Sequence, residues 1–431
     1  MKRVPAFFSS AAVVLLLASL PRIASADEPA AEPSPAPEPS PAAAPQESAL
    51  PPDPTPLAPF PPPEPETPPV KVVPTGYLEA YYAWNFNKPV NGITNYRGFD
   101  NRHNTITLNN AALGATFETG PVGGKLMLQV GSQPSTIYAA EPSHPGTSTA
   151  NASNGELWKY IQEAYVTYKA PVGRGLTVKA GIEGSPIGIE TFAVHDNWNW
   201  SRSNLYFGLP YYHTGLRATY PLTDSLSASV AVLNGWNSVV DNNDGKSVEA
   251  HVTYTIPKKL NVQVLYFGGV ERSSNAPEGQ YWRNHFDAFG QFDPTTWLQF
   301  AAEADYGFEP NRFGTARWFA GAAYARVKVC HCLHLGVRAD RFYEHLATDS
   351  EGHKSTPLFW NGVEWVSSVT GTVDFHPHDN ISIRLEFRHD QADGLLYFTG
   401  DTLTGDGSAQ SPYLPNARRQ ETLLLGATAW F

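Results

Sequence analysis

The chain has 431 residues and a formal net charge of −11, with 30 basic and 41 acidic side chains. That balance argues against nucleic acid as a partner. Past residue 26, no stretch approaches the roughly 18 consecutive apolar residues of a helical membrane span, and the mean hydropathy of −0.31 alone would suggest a soluble protein.

The chain opens with "MKRVPAFFSSAAVVLLLASLPRIASA", residues 1–26. Lys2 and Arg3 form a basic start, Ala11 to Leu20 an apolar core, and Ala24-Ser25-Ala26 a small-residue cleavage site. This is the pattern of a cleaved secretory signal peptide, with an apolar core too short to span a bilayer. Loss of Lys2, Arg3 and Arg22 takes the formal charge to −14.

Residues 27–74 hold roughly half of the 38 prolines, interspersed with Ala and Glu. Such a segment cannot bury a core and is expected to be an extended, polyproline-like periplasmic linker. A plain spacer and a segment that contacts the cell wall are both compatible with it.

From Thr75 onward the pattern changes to segments of about 9–12 residues with period-two alternation, the length of a tilted strand crossing a bilayer. In "YLEAYYAWNF", Leu78, Ala80, Tyr82, Trp84 and Phe86 share one face. In "ISIRLEFRHD", Ile381, Ile383, Leu385 and Phe387 oppose Ser382, Arg384, Glu386, Arg388 and Asp390. The second face carries four charges and is expected to meet water.

About sixteen such segments can be placed, an even number as bacterial barrels require. They fall near 76–87, 103–118, 124–132, 160–169, 175–184, 212–220, 225–236, 246–256, 260–270, 283–293, 297–308, 316–328, 333–344, 364–376, 380–390 and 420–431. The second needs a bulge near Asn109-Asn110 to keep its phase, and the twelfth and thirteenth are the least regular. Short turns such as "TGPVG", "APVGRG", "PLTD", "PKK" and "DPTT" follow even segments, and long loops follow odd ones. The expected fold is therefore all-β: a transmembrane antiparallel barrel over residues 75–431, with periplasmic turns and extracellular loops. Even segments end in the apolar phase on Phe117, Tyr168, Tyr220, Tyr254, Phe292, Phe375 and Phe431, which reads as an interfacial aromatic girdle. "ETLLLGATAWF" is the strand expected to pair with the first one, leaving no open edge in lipid.

Motifs for chemistry are weak. "GPVGGKL" lacks phosphate-loop spacing and reads as a turn. "DNNDG" breaks calcium-loop spacing and reads as a polar loop tip. "CHCLH" holds the only cysteines, Cys330 and Cys332, at a turn between strands; free thiols, a strained local disulfide and metal ligation stay open there. No G-x-S-x-G elbow occurs and no cofactor motif stands out, so the chain is read as a non-enzyme.

The third long loop, "IGIETFAVHDNWNWSRSNLYFGLPYYHTG", carries Phe192, Trp198, Trp200, Tyr206, Phe207, Tyr211 and Tyr212. An exposed loop gains nothing from so many rings. Folded inward, it would narrow a pore and set Glu190, His195, Asp196 and Arg202 across it. The polar strand phase supplies candidate pore-wall bases Lys125, Lys179, Arg217, Arg338, Arg384 and Arg388. The corresponding acids are Glu79, Glu163, Glu183, Glu249, Asp287, Glu303, Asp305, Asp374, Glu386 and Asp390. Acids outnumber bases, which favours mild cation preference.

The stretches "GYLEAYYAWNFNKP", "NRHNTITLNNAAL", "QEAYVTY", "LTVKAGIEGSPIGIE", "HTGLRATYPL", "LNGWNSVVDNN", "VDFHPHDNISIRLEFRHD" and the final strand give the chain its likeness. It resembles the beta-barrel porins described as OmpL-like over almost all of 76–431. The resemblance implies a passive pore for small hydrophilic solutes in the outer membrane of a Gram-negative cell, and no catalytic residues. The Pro-rich linker and "CHCLH" are not carried over from it. By resemblance to outer-membrane barrels generally, Phe431 is also part of the signal read by the barrel-insertion machinery. A substrate-selective channel with sugar-stacking loop aromatics, a barrel enzyme and a structural anchor are the alternatives; self-association is left open.

Overall fold

The computed structural model describes residues 68–144, 152–400, 404–408 and 410–431. The expected signal peptide, and the linker up to residue 67, lie outside the described residues. The described chain forms sixteen strands hydrogen-bonded in chain order into a closed antiparallel barrel.

The strands are β1 Lys71–Asn85, β2 Ile106–Thr119, β3 Val122–Val130, β4 Ile161–Ala170, β5 Leu176–Gly184, β6 Tyr212–Pro221, β7 Leu226–Leu233 and β8 Ser247–Ile256. They continue with β9 Leu260–Val270, β10 Trp282–Phe292, β11 Leu298–Asn311, β12 Gly314–Cys330, β13 Leu333–His345, β14 Trp365–His378, β15 Ile381–Ala392 and β16 Arg419–Trp430. Period two dictates the two surfaces. Leu385, Phe387, Leu423 and Leu425 are exposed on the outside, while Glu386, Arg388, Thr422 and Leu424 are buried on the inside. The exposed apolar side chains extend around the barrel, through Leu113, Val166, Val230, Val264, Phe319, Val337 and Val369. Such an outer surface suits lipid. Among the described residues no helix is long and apolar enough to cross a membrane, which says nothing of a barrel.

Closure is direct. β1 and β16 pair from Tyr77↔Trp430 to Asn85↔Thr422, so neither strand leaves an edge over that length. An unpaired main-chain polar group in hydrocarbon costs several kcal/mol, about the scale that makes closure obligatory. β1 begins at Lys71, earlier than the segment expected over 76–87, so residues 71–74 of the expected linker belong to the barrel. Its early residues pair only with β2, with Pro74 opposite Ala115. Pro74 is tolerated because β16 ends before reaching it, so no partner there needs its missing N–H.

The bulge in β2 falls at Asn109, where the partners jump from Glu79↔Asn110 to Ala80↔Leu108. One expected long loop is absent. β11 and β12 run on to Asn311 and Gly314, leaving only Arg312 and Phe313 between them. Pro310 and Asn311 read as loop residues in the sequence, yet they extend the ladder to its end. "GPVGGKL" is the tight β2–β3 turn and the start of β3. In "DNNDG", Asp241 accepts from Asn243 N (3.0 Å) and pairs with Lys246, so its carboxylate is engaged within the loop. Cys330 and Cys332 are free thiols at the β12–β13 turn, with Sγ atoms 3.1 Å apart.

Candidate pore-constricting loop

The third long loop (L3, residues 185–211) leaves β5 and returns at β6. Two short 3-10 turns, Val194–Asp196 and Leu205–Gly208, fold it into a compact strap. The strap is fixed by side chains from the inward phase of strands spread around the barrel, so it lies inside the barrel. Gln263 of β9 donates to Pro186 O (2.7 Å), and Ile189 N donates to Glu303 of β11 (3.0 Å). Val194 N donates to Glu79 of β1 (2.6 Å), and Arg384 of β15 donates to Val194 O (2.7 Å). Trp200 N and Ser201 N reach the two carboxylate oxygens of Glu386, at 2.7 and 3.0 Å. Asn199 donates to Thr372 of β14 (2.7 Å), and Asn204 donates twice to Asp340 of β13 (3.1 and 2.8 Å). Arg388 donates to Arg202 O.

These bonds explain the strongly polar face of β15. Arg384, Glu386, Arg388 and Asp390 are each 1% exposed; the first three meet L3 instead of water, and Asp390 meets Arg97 of the first long loop (3.3 Å). A strand side chain that replaces water for a loop main chain satisfies both partners, which a buried polar pair requires.

The L3 charges divide into two kinds. Arg202 is 1% exposed and turns back on its own loop, donating to Thr191 O (3.0 Å), Trp200 O (2.6 Å) and Phe192 O (2.6 Å). It does not face an acid across a gap; it clamps the strap. Glu190 is buried as well, paired with Arg338 (2.7 Å) and accepting from Ser203 N (2.8 Å). His195 stacks on Trp430 of β16 at 5.0 Å between centroids. The Asp196 side chain is 58% exposed and that of His195 19%. Asp196 therefore carries the loop's accessible charge.

The rings settle the loop against the wall. Trp200, 1% exposed, packs over Gly426 of β16 and near Tyr81 of β1, with centroids 6.1 Å apart for the two rings. Any Cβ at Gly426 would collide with the indole. Trp198 meets Tyr324 of β12 edge-on (6.3 Å). Tyr206 stacks on Tyr211 (5.2 Å), beside Phe99 from the first long loop.

The remaining wall candidates form local networks. Arg217 of β6 bonds Glu183 (2.6 Å) and Glu249 of β8 (3.1 Å), and Lys179 pairs with Glu183 (2.8 Å). Lys125 of β3 pairs with Glu163 of β4, both partly exposed. Asp287, Glu303 and Asp305 stand together on β10 and β11 as a buried acidic group. Asp374 of β14 lies near Arg384 (3.3 Å) and Arg326 (3.4 Å). A cavity of about 310 Å³ beside the strap is bordered by Tyr77, Lys125, Glu163, Glu190, His195 and Asp196, among others. A second of about 50 Å³ also touches Glu190 and Asp196, next to Trp198 and Tyr324. Open space therefore borders Lys125, Glu163 and Asp196 on the L3 side, whereas Arg338, Arg384 and Arg388 are buried against the strap.

Asp340, Thr372, Asn204 and Gly426 seat the loop but were not singled out from sequence. Asp340 and Gly426 sit in the inward phase of their strands, a signal that period two carries. Nothing local marks which inward residues meet a loop well over a hundred positions away.

A family model described as "Putative beta-barrel porin-2, OmpL-like" matches residues 71–429. No curated protein matches. Among solved structures, the outer membrane channel DcaP of Acinetobacter baumannii is 12% identical with a TM-score of 0.54, covering 84% of this chain and 97% of its own. The trimer form of OmpT from Vibrio cholerae is 11% identical with a TM-score of 0.53, covering 84% and 99%. An anion-selective porin from Comamonas acidovorans is 9% identical with a TM-score of 0.51, covering 84% and 100%. At these identities the likeness speaks for the fold.

Proposed function

The chain belongs to the putative beta-barrel porin-2, OmpL-like family, and on that premise we propose that it is an outer-membrane porin for passive diffusion of small hydrophilic solutes. L3 is its constriction. The observation that carries this reading is the strap itself: its main chain is hydrogen-bonded to inward side chains of β1, β9, β11, β13 and β15, and its Asn199 side chain to Thr372 of β14. A loop held from so many directions narrows a lumen at a fixed place, and charges at the narrowest place set selectivity. Asp196, with Lys125 and Glu163 across the adjoining cavity, forms the accessible charge set there. The buried arginines position the strap.

Export through a cleaved signal peptide, and a spacer role for the Pro-rich segment, complete the proposal. The trimer form of the Vibrio OmpT structure supports self-association of this barrel as well. Liposome swelling with a series of sugars tests the diffusion reading. Rates should fall smoothly with solute size and rise linearly with concentration. Saturation by one sugar would favour a binding channel, and no swelling at all would remove the porin reading.

A further inference from the structure

The "CHCLH" turn lies at the end of the barrel remote from the long loops. On the inward phase of β13, His334 stands directly across from Asp374 of β14, and His376 is two residues further along β14 on the same face. One ligand-type atom from each of the three lies within 4.8 Å of the other two. The phase is fixed by the neighbours: Leu335, Val373 and Phe375 are exposed on the lipid side.

We propose that His334, Asp374 and His376 form a site for one divalent transition-metal ion on the lumen wall at the short-turn rim. Two imidazoles and a carboxylate are the donor set that zinc and its neighbours favour over calcium or magnesium. Donors about 2.0–2.2 Å from a shared ion stand at most roughly 4.4 Å apart, so a group whose donor atoms already lie within 4.8 Å closes on an ion with a small side-chain adjustment. Nδ1 of His334 is buried without a hydrogen-bond partner. Nε2 of His376 lies 3.0 Å from Oδ2 of Asp374. A partnerless ring nitrogen of His334 and a ring nitrogen of His376 thus stand beside one carboxylate, on a wall that could have carried Thr or Ser.

The surrounding groups fit the same assignment. Ser382 donates to Oδ1 of Asp374 (2.6 Å), which orients the carboxylate and leaves Oδ2 toward the histidines. His376 N donates to Cys332 O (2.8 Å), tying β14 to the β12–β13 turn and fixing the backbone that carries the ring. Arg326 is the competitor: its guanidinium stands 3.4 Å from Oδ2. A metal ion must displace it, so Arg326 weakens binding.

The test uses the full chain folded in detergent, with Zn2+ and Co2+ as probes and Cys330 and Cys332 both replaced by Ser. One Zn2+ should bind per barrel, and Co2+ should give d–d bands without a thiolate charge-transfer band. His376→Asn should lower Zn2+ affinity at least about tenfold. Arg326→Gln should raise it, which a merely structural disturbance would not do. Heat-modifiable gel migration reports that each variant is a folded barrel. Loss of Zn2+ binding in the double Ser variant, or a thiolate–Co2+ band in the unmodified protein, would move the site to the cysteines and overturn the proposal. Unchanged affinity in folded His376→Asn would overturn it too.

Discussion

Phe431 and Gly76 exchange two main-chain hydrogen bonds: Phe431 N to Gly76 O at 3.0 Å, and Gly76 N to Phe431 O at 3.2 Å. The Phe431 ring also covers Gly76, filling the space a Cβ would need. This pair finishes the β1–β16 seam at its short-turn end. Each lost bond is worth about 1 kcal/mol in net terms and more where water is scarce. Deleting Phe431 should therefore reduce the folded fraction several-fold in membrane fractions, read as heat-modifiable barrel on gels. Gly76→Val should do the same by displacing the ring. Equal yields of folded barrel would show that the seam does not depend on this pair.

Trp200 and Gly426 are the steric lock of L3 against β16. Gly426→Val must push the indole away, and with it the main chain that Glu386 holds. Single-channel conductance should rise in Gly426→Val and in Trp200→Ala, with the barrel still folded. Unchanged conductance in both would mean that L3 is not the narrowest part.

Asp196 and Arg202 share a loop but should respond differently to charge change. Asp196→Lys places a cation at the accessible position and should shift the reversal potential toward anion preference in a salt gradient. Arg202→Gln removes a buried clamp with three main-chain acceptors. It should increase current noise and gating with a smaller shift of potential. A larger selectivity change from Arg202 than from Asp196 would reverse their assigned roles.

Arg217 holds Glu183 and Glu249, and all three are buried. Arg217→Met removes the shared partner of two buried carboxylates, leaving Glu183 with Lys179 (2.8 Å) and Glu249 with His251 (3.0 Å), at a cost of up to about 3–5 kcal/mol for a broken buried pair. Adding Glu249→Gln should recover part of that loss. Urea unfolding in detergent, followed by tryptophan fluorescence, reads both effects.

The barrel was legible in sequence because each strand must solve the same problem twice. One phase meets lipid and the other meets polar partners, so period two appears in each segment. Strand ends followed from turn chemistry less well at Lys71–Pro74 and at Pro310–Asn311, where residues that usually break a ladder extend it. The aromatic load of L3 signalled that the loop needs cover, and Trp200 is covered. The division of its charges was not legible. Arg202 and Asp196 look equivalent in "HDNWNWSR"; only the fold shows that one is spent on carbonyls at Thr191, Phe192 and Trp200 while the other faces open space. The polar face of β15 suggested water for the same reason: sequence reveals the need for a polar partner, but a distant loop can meet that need as well as solvent.

The most direct measurement is reconstitution of the purified protein in a planar bilayer, with conductance and reversal potential recorded in a salt gradient. The account predicts stepwise, ohmic conductance with mild cation preference that Asp196→Lys weakens or reverses. Absence of stepwise conductance from a barrel shown to be folded would contradict it.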